Sequence, residues 1–242
     1  REFLRAMERR GKTELLKKAR IYNENWVRNY HYGEPMYNEP LSNTYHLHPA
    51  YDKYPVVNIS HEGAEAYCQW LTELYNEVNK MSAWRVEVRL PSKGEWMYAA
   101  QGGHQLAYYP WGSNHVRNAK GCYLGNFKQI DESKLIFDSK NNTFAMADSS
   151  VTMSGKSLNG KYKYIDGQGL AMASAYFPNN YGLYNMSGNA AEMLQEKGST
   201  KGGSWSSTGY HVRIDAADEY AGWEESNPYI GFRPIIVVKK KK

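Results

Sequence analysis

Residues 181–193 read Tyr181-Gly182-Leu183-Tyr184-Asn185-Met186-Ser187-Gly188-Asn189-Ala190-Ala191-Glu192-Met193, and Lys201-Gly202-Gly203-Ser204-Trp205 follows closely. Both runs lie in the part of the chain beyond Gly103, where the helix signal nearly vanishes and Gly, Asn, Ser and aromatic residues dominate. Turns rich in Gly and Asn present backbone carbonyls. Combined with one or two carboxylates or amides, those carbonyls suit Ca²⁺, which takes about six to eight oxygen ligands. The alternative is a turn whose Asn and Glu side chains cap the backbone itself.

Working outward toward the N-terminus, the signal becomes regular. Pro55-Val56-Val57-Asn58-Ile59 is a short apolar run expected to be a strand. Ser60 is a good N-cap, with Glu62 in the first turn behind it. Tyr67, Trp70, Leu71, Leu74 and Val78 recur at spacings of three and four, which predicts a helix with one buried face through about Lys80. Trp84 to Leu90 alternates as a strand. Ser92 and Glu95 form a capping-box pair that opens a second helix through about Ala100, and Gly102-Gly103 ends it.

Residues 1–21 predict two helical pieces broken near Gly11, and 22–54 an ordered loop whose His46 and His48 form a candidate metal pair lacking a third ligand at a recognisable spacing. Toward the C-terminus, Lys128–Lys163 is polar and reads as an insertion, and Gly231 to Val238 is a closing strand stopped by lysines. The expected organisation is a helical and loop extension over 1–54 packed on a domain over 55–238, then a basic tail over 239–242. The fold class is α+β, loop-rich, with two main helices and short mixed strands.

At 242 residues and 41% hydrophobic, the chain can bury a real core. Its 23% charged residues and 21 tyrosines exclude a disordered chain. No apolar run approaches the roughly 18 residues of a membrane-spanning helix. The chain opens inside what reads as a helix, so an upstream signal or lipid anchor is expected. The formal charge is +5, but eight Lys/Arg fall within the first twenty residues and four lysines close the chain, leaving 18 basic against 22 acidic residues between them. Basicity confined to the ends argues against nucleic acid as a partner. Cys68 and Cys122 allow at most one disulfide, which fixes no redox compartment. Cys68, among Tyr67 and Trp70 on the first long helix, reads as a small core residue. Of three Asn-X-Ser/Thr sites, at Asn58, Asn141 and Asn185, only Asn141 is expected to be exposed.

Taken together, several blocks resemble the formylglycine-generating enzyme (sulfatase-modifying factor) family. They are Pro55–Ser60, Ala66–Leu71, Arg89–Ala100, Tyr109-Pro110-Trp111-Gly112, Tyr181–Met193, Lys201–Trp205 and Ile230-Gly231-Phe232-Arg233, in the family's order. The resemblance implies a C-type-lectin-like fold. It also implies a calcium site with side-chain ligands Asn185 and Glu192 and main-chain oxygens of Gly188 and Ala190, and a second calcium site at Asn126, Phe127, Asp166 and Gln168 that the insertion puts in question. Active members oxidise a substrate cysteine with copper bound by two cysteines. Their positions here hold Ser207 and Val212, so no copper and no catalytic residues are expected. A chemistry built on His211, Asp215 and Tyr210 is the weaker alternative. The family disulfide partner of Cys68 is replaced by Pro234, which leaves Cys122 as its one conceivable partner.

The resemblance extends to envelope lipoproteins of Bacteroidetes, of the gliding motility and type IX secretion kind. The expectation is therefore a non-catalytic scaffold in the bacterial cell envelope, periplasmic or outer-membrane-associated. Its partners would be other envelope proteins, met through Tyr210, Tyr220, Trp223 and Tyr229, and its membrane link a lipid anchor ahead of residue 1. Two other readings stand beside it. One is a metal-dependent oxidase with altered chemistry, the other a ligand-displaying protein whose variable loop lies between Trp205 and Ile230.

Overall fold

Two short helices open the chain, α1 (Glu2–Arg9) and α2 (Thr13–Lys18), followed by a single turn, α3 (Asn25–Arg28). The computed structural model describes residues 2–28, 44–128, 135–138, 143–146 and 169–241. The long helix α4 (His61–Val78) begins where the cap predicts: Ser60 Oγ accepts a hydrogen bond from Gly63 N at 3.1 Å. Its buried face includes Ala66, Cys68 and Trp70. Phe3 and Met7 of α1 bury against Ala66 and Trp70, with the Phe3 and Trp70 ring centroids 5.4 Å apart. Gly63 is needed for this docking, since a Cβ there would stand 2.6 Å from the Lys18 carbonyl oxygen at the end of α2.

Strand β1 (Trp84–Arg89) leads into α5 (Lys93–Gln101). The capping box is complete, with Ser92 Oγ accepting from Glu95 N and Glu95 Oε2 accepting from Ser92 N. Gly102 then ends the helix in the left-handed region at φ +55°. One edge of β1 is covered by side chains of α4 instead of another strand. Asn76 Nδ2 donates to Val86 O at 2.7 Å and its Oδ1 accepts from Val86 N at 3.0 Å, while Thr72 Oγ1 accepts from Val88 N at 2.8 Å.

Within the expected insertion, β2 (Leu135–Asp138) and β3 (Thr143–Met146) pair antiparallel, and its remaining residues past Lys128 lie outside the described ones. Strands β4 (Ala191–Met193), β5 (Thr200–Lys201) and β6 (Ile230–Gly231) form a small mixed sheet in the order β5-β4-β6. The closing strand divides in two. Arg233 leaves the sheet, Pro234 has no N–H to give a ladder, and the chain resumes as β7 (Ile235–Lys240), antiparallel to β1. Lys239 and Lys240 do not stop β7: they lie opposite Arg85 and Trp84, and Lys239 pairs with Glu87 at 2.5 Å. Val57 and Ile59, expected in a strand, make only isolated bridges to Gly231 and Ile21. Around these elements the core gathers Trp26, Val57, Val88, Ala191, Trp205 and Ile230. Both cysteines are free thiols, Cys68 buried and Cys122 half-buried.

Candidate functional site

The block 185–192 is a turn that folds onto Asn126. Asn189 N donates to Asn126 O at 2.7 Å, Asn126 Nδ2 donates to Asn189 Oδ1 at 3.1 Å, and Gly188 N donates to Gly202 O at 2.8 Å. Gly188 has φ +78°, and a Cβ on it would come to 2.2 Å from Asn126 O, so no other residue fits this crossing. Asn185, also left-handed at φ +51°, points Nδ2 at the carbonyls of Met172 (3.1 Å) and Ala173 (2.9 Å). Its Oδ1 is buried and accepts no hydrogen bond from the described residues.

Glu192, in the middle of β4, is buried and fully engaged. Arg233 donates to it through Nη2 (2.7 Å to Oε1) and through Nε (2.9 Å to Oε1 and 3.1 Å to Oε2), and Trp96 Nε1 donates to Oε2 at 2.7 Å. The carboxylate in turn raises the pKa of the Arg233 guanidinium by Coulomb attraction. An ionised carboxylate has about four lone-pair positions, and here three N–H donors turn toward them, the Nε–H shared between both oxygens. A calcium ion at this block would find one unsatisfied oxygen, on Asn185, but the carboxylate ligand expected at Glu192 is spent on Arg233. The donor set as placed does not fit calcium. At the second expected calcium site, Asn126 is buried with its amide held by Gly169 O (2.9 Å) and Asn189, and Phe127 is buried among aromatic rings. Asp166 and Gln168 lie outside the described residues.

Ser207 and Val212, the residues expected at the copper-cysteine positions, come together against Gly203. A Cβ on that glycine would meet Val212 Cγ1 at 2.9 Å and Ser207 Cβ at 3.2 Å. Both residues are fully buried. Val212 packs with Tyr109, Tyr123 and Phe127, offering a methyl group where a metal needs a thiolate. Ser207 Oγ donates to Glu219 Oε2 and accepts from Ser204 N at 2.8 Å; Ser204 Oγ in turn lies 2.6 Å from the Tyr220 hydroxyl. Burial pushes the Tyr220 phenol well above its ordinary pKa, so it stays neutral. A serine and a valine cannot replace a pair of soft thiolates, so copper does not fit here. The network ties the Gly-Gly-Ser turn to the turn at 218–220.

The remaining candidates separate. Asp215 is held by Arg213 (2.6 and 2.9 Å), and the acid beside His211 is Glu219, at 3.7 Å from Nδ1. Tyr210 and His211 meet edge-on with ring centroids 5.3 Å apart, but Asp215 is paired with Arg213 and not with His211. His48 Nδ1 accepts from Ala50 N at 3.1 Å, while His46 packs edge-on against Tyr45 and burial lowers its pKa to about 4, so they do not converge as a metal pair. Of the four aromatic residues expected to meet partners, Tyr210 and Trp223 are exposed. Tyr220 and Tyr229 instead stack inside at 6.2 Å, because Trp205 and the Ser204 hydroxyl hold them there. Tyr210 joins Tyr108 around the Arg213 guanidinium, 5.5 and 3.7 Å from its carbon. Asn58 is buried at its glycosylation triplet, and Asn141 lies outside the described residues.

Sequence reasoning did not find Glu219, Ser204 or Arg233 as site residues. Glu219 and Ser204 sit in turns with no periodicity, and Arg233 reaches Glu192 across 41 residues of chain.

The family profile described as "Sulfatase-modifying factor enzyme 1-like domain" matches residues 1–238. The chain is 29% identical over 173 residues to mouse "Inactive C-alpha-formylglycine-generating enzyme 2", covering 68% of this chain and 39% of that protein. To the bovine "Formylglycine-generating enzyme" it is 31% identical over 144 residues, 59% of this chain and 27% of that protein. It thus spans well under half the length of these relatives. Among solved structures, "Treponema denticola variable protein 1" superposes with a TM-score of 0.50 at 17% identity, over 81% of this chain and 74% of that one, a likeness of fold alone.

Proposed function

Because the chain belongs to the sulfatase-modifying factor enzyme 1-like domain family, we propose that it is a non-catalytic scaffold or binding module built on that family's fold. The observation that carries this reading is the burial of Ser207 and Val212 together against Gly203, where the oxidative chemistry of active members needs two thiolates. The relatives' names point both ways, one inactive and one a formylglycine-generating enzyme, so the reading leans on the residues of this chain.

The module belongs, in this reading, to a protein complex of the bacterial cell envelope, in a lipoprotein of the gliding motility or type IX secretion kind. Support for that placement is the resemblance of the Asn185–Met193 block, followed so closely by Lys201–Trp205. Docking through the exposed Tyr210, Tyr108 and Trp223 gives the module a means of assembly.

Metal analysis and oxygen uptake of the purified chain test the first part. The expected result is neither stoichiometric copper or iron nor oxygen consumption with a cysteine peptide. Either metal, with turnover, would favour the oxidase alternative. Crosslinking in a native envelope fraction tests the second: a defined envelope partner lost on Tyr210→Ala supports assembly, and a free monomer counts against it.

A further inference from the structure

The two basic ends of the chain meet on one end of the fold. Arg10, just past α1, reaches Glu77 near the end of α4 at 3.4 Å. Lys241, just past β7, donates its backbone N–H to Ala83 O at 2.8 Å and its Nζ to Lys80 O at 3.0 Å. The turn joining α4 to β1 therefore projects between them. Its apolar side chains stand in solvent: Val78 is 76% exposed, Met81 99% and Trp84 51%. On β7 the exposed Val238 and Ile236 lie opposite Val86 and Val88, which pack into the core, so the open apolar area is the turn together with the β7 side of the ribbon.

Charge follows the same geometry. Glu77 and Glu87 are the acids at this tip, and they pair with Arg10 and Lys239. Lys80, Arg85, Lys240 and Lys241 then lie in or next to the apolar turn, and among the described residues none of them is in an ion pair with a carboxylate. A protein hot spot is usually a pocket or a close-fitting flat patch. Here the apolar side chains stand exposed on a turn with long flexible cations beside them. Lysine stems can lie along an apolar surface while their ammonium groups reach phosphate, and basic residues close to an anionic leaflet are drawn to it.

We propose that this tip is a docking surface for an anionic phospholipid membrane, with Met81 and Trp84 entering the headgroup boundary and Lys80, Arg85, Lys240 and Lys241 facing lipid phosphates. The inference stands independently of the non-catalytic reading, since it uses no residue of the Ser207 or Glu192 clusters.

Co-sedimentation of the whole chain with phosphatidylcholine vesicles, with and without phosphatidylglycerol, tests it. Binding is expected only to the anionic vesicles and is expected to fall as salt rises. Lys80→Glu with Lys240→Glu, and separately Met81→Asp, should each weaken partitioning by roughly tenfold or more, with melting temperatures unchanged because these side chains are exposed. Absence of vesicle binding, equal binding to both compositions, or indifference to both variants overturns the proposal. Binding to soluble polyglutamate without vesicle binding also overturns it and reassigns the face to an acidic protein.

Discussion

Arg233 grips Glu192 through two nitrogens, at 2.7 Å from Nη2 and 2.9 Å from Nε, while the same Nη2 donates to the Tyr184 carbonyl at 2.8 Å. One guanidinium thereby ties the chain after β6 to both ends of the block 184–192, and the buried carboxylate of β4 receives its counter-charge from within the protein.

Removing that counter-charge strands a buried carboxylate. Arg233→Met should cost about 3 kcal/mol, lowering Tm by roughly 6–12 °C. In the unaltered protein, melts in calcium and in chelator should coincide, because Glu192 is already held by Arg233 and Trp96. A calcium-dependent rise in its Tm would show that Arg233 gives way to a metal.

Acid should weaken the start of α5. The Glu95 pKa is lowered to about 2, chiefly by its hydrogen bonds from Arg89 at 2.7 and 2.8 Å and then by the Ser92 backbone. A depressed carboxylate contributes its stability above the ordinary value near 4.5 and loses it as pH falls toward about 2. Thermal melts across that window should show a slope that Glu95→Gln reduces.

Gly188→Ala should be among the most damaging small changes in the chain. Its Cβ would sit 2.2 Å from Asn126 O at φ +78°, so the variant suffers a left-handed strain and a backbone clash together. A loss of more than about 2 kcal/mol in urea unfolding is expected, whereas Gly94→Ala, with nothing near its Cβ, should be close to neutral or stabilising.

Restoring thiolates should restore metal affinity. In the double variant Ser207→Cys, Val212→Cys two thiols would lie beside Gly203, and bicinchoninate competition should detect Cu(I) binding to it and none to the unaltered chain. Failure of the folded double variant to bind would mean that the two positions do not share a site.

The two cysteines should differ in reactivity. Burial pushes the Cys68 thiol up to about 11, while Cys122 is half-buried on a turn. Under native conditions one thiol should react readily with a maleimide, and both after denaturation; Cys122→Ser should abolish the fast phase.

Local chemistry was legible wherever a signal and its partner lie within a turn of each other. The Ser60 cap and the Ser92/Glu95 box were read from spacing and occur as read. The candidate site was only half legible. Asn185, Gly188 and Glu192 could be singled out, as could Ser207 and Val212, but the groups that engage them could not. Arg233 and Glu219 come from distant turns, and a turn residue carries no periodicity to show which way it faces.

The amino-acid sequence by itself determined the two main helices, their caps and the lack of a thiol at Ser207 and Val212, since each rests on residue chemistry or short-range spacing. Only the tertiary structure decided that Glu192 is neutralised by an arginine, that Tyr220 and Tyr229 turn inward while Tyr210 faces solvent, and that the basic ends converge on one tip. Those outcomes depend on contacts between segments far apart in the chain, and such contacts are selected by the burial and charge balance of the whole core rather than by any local pattern.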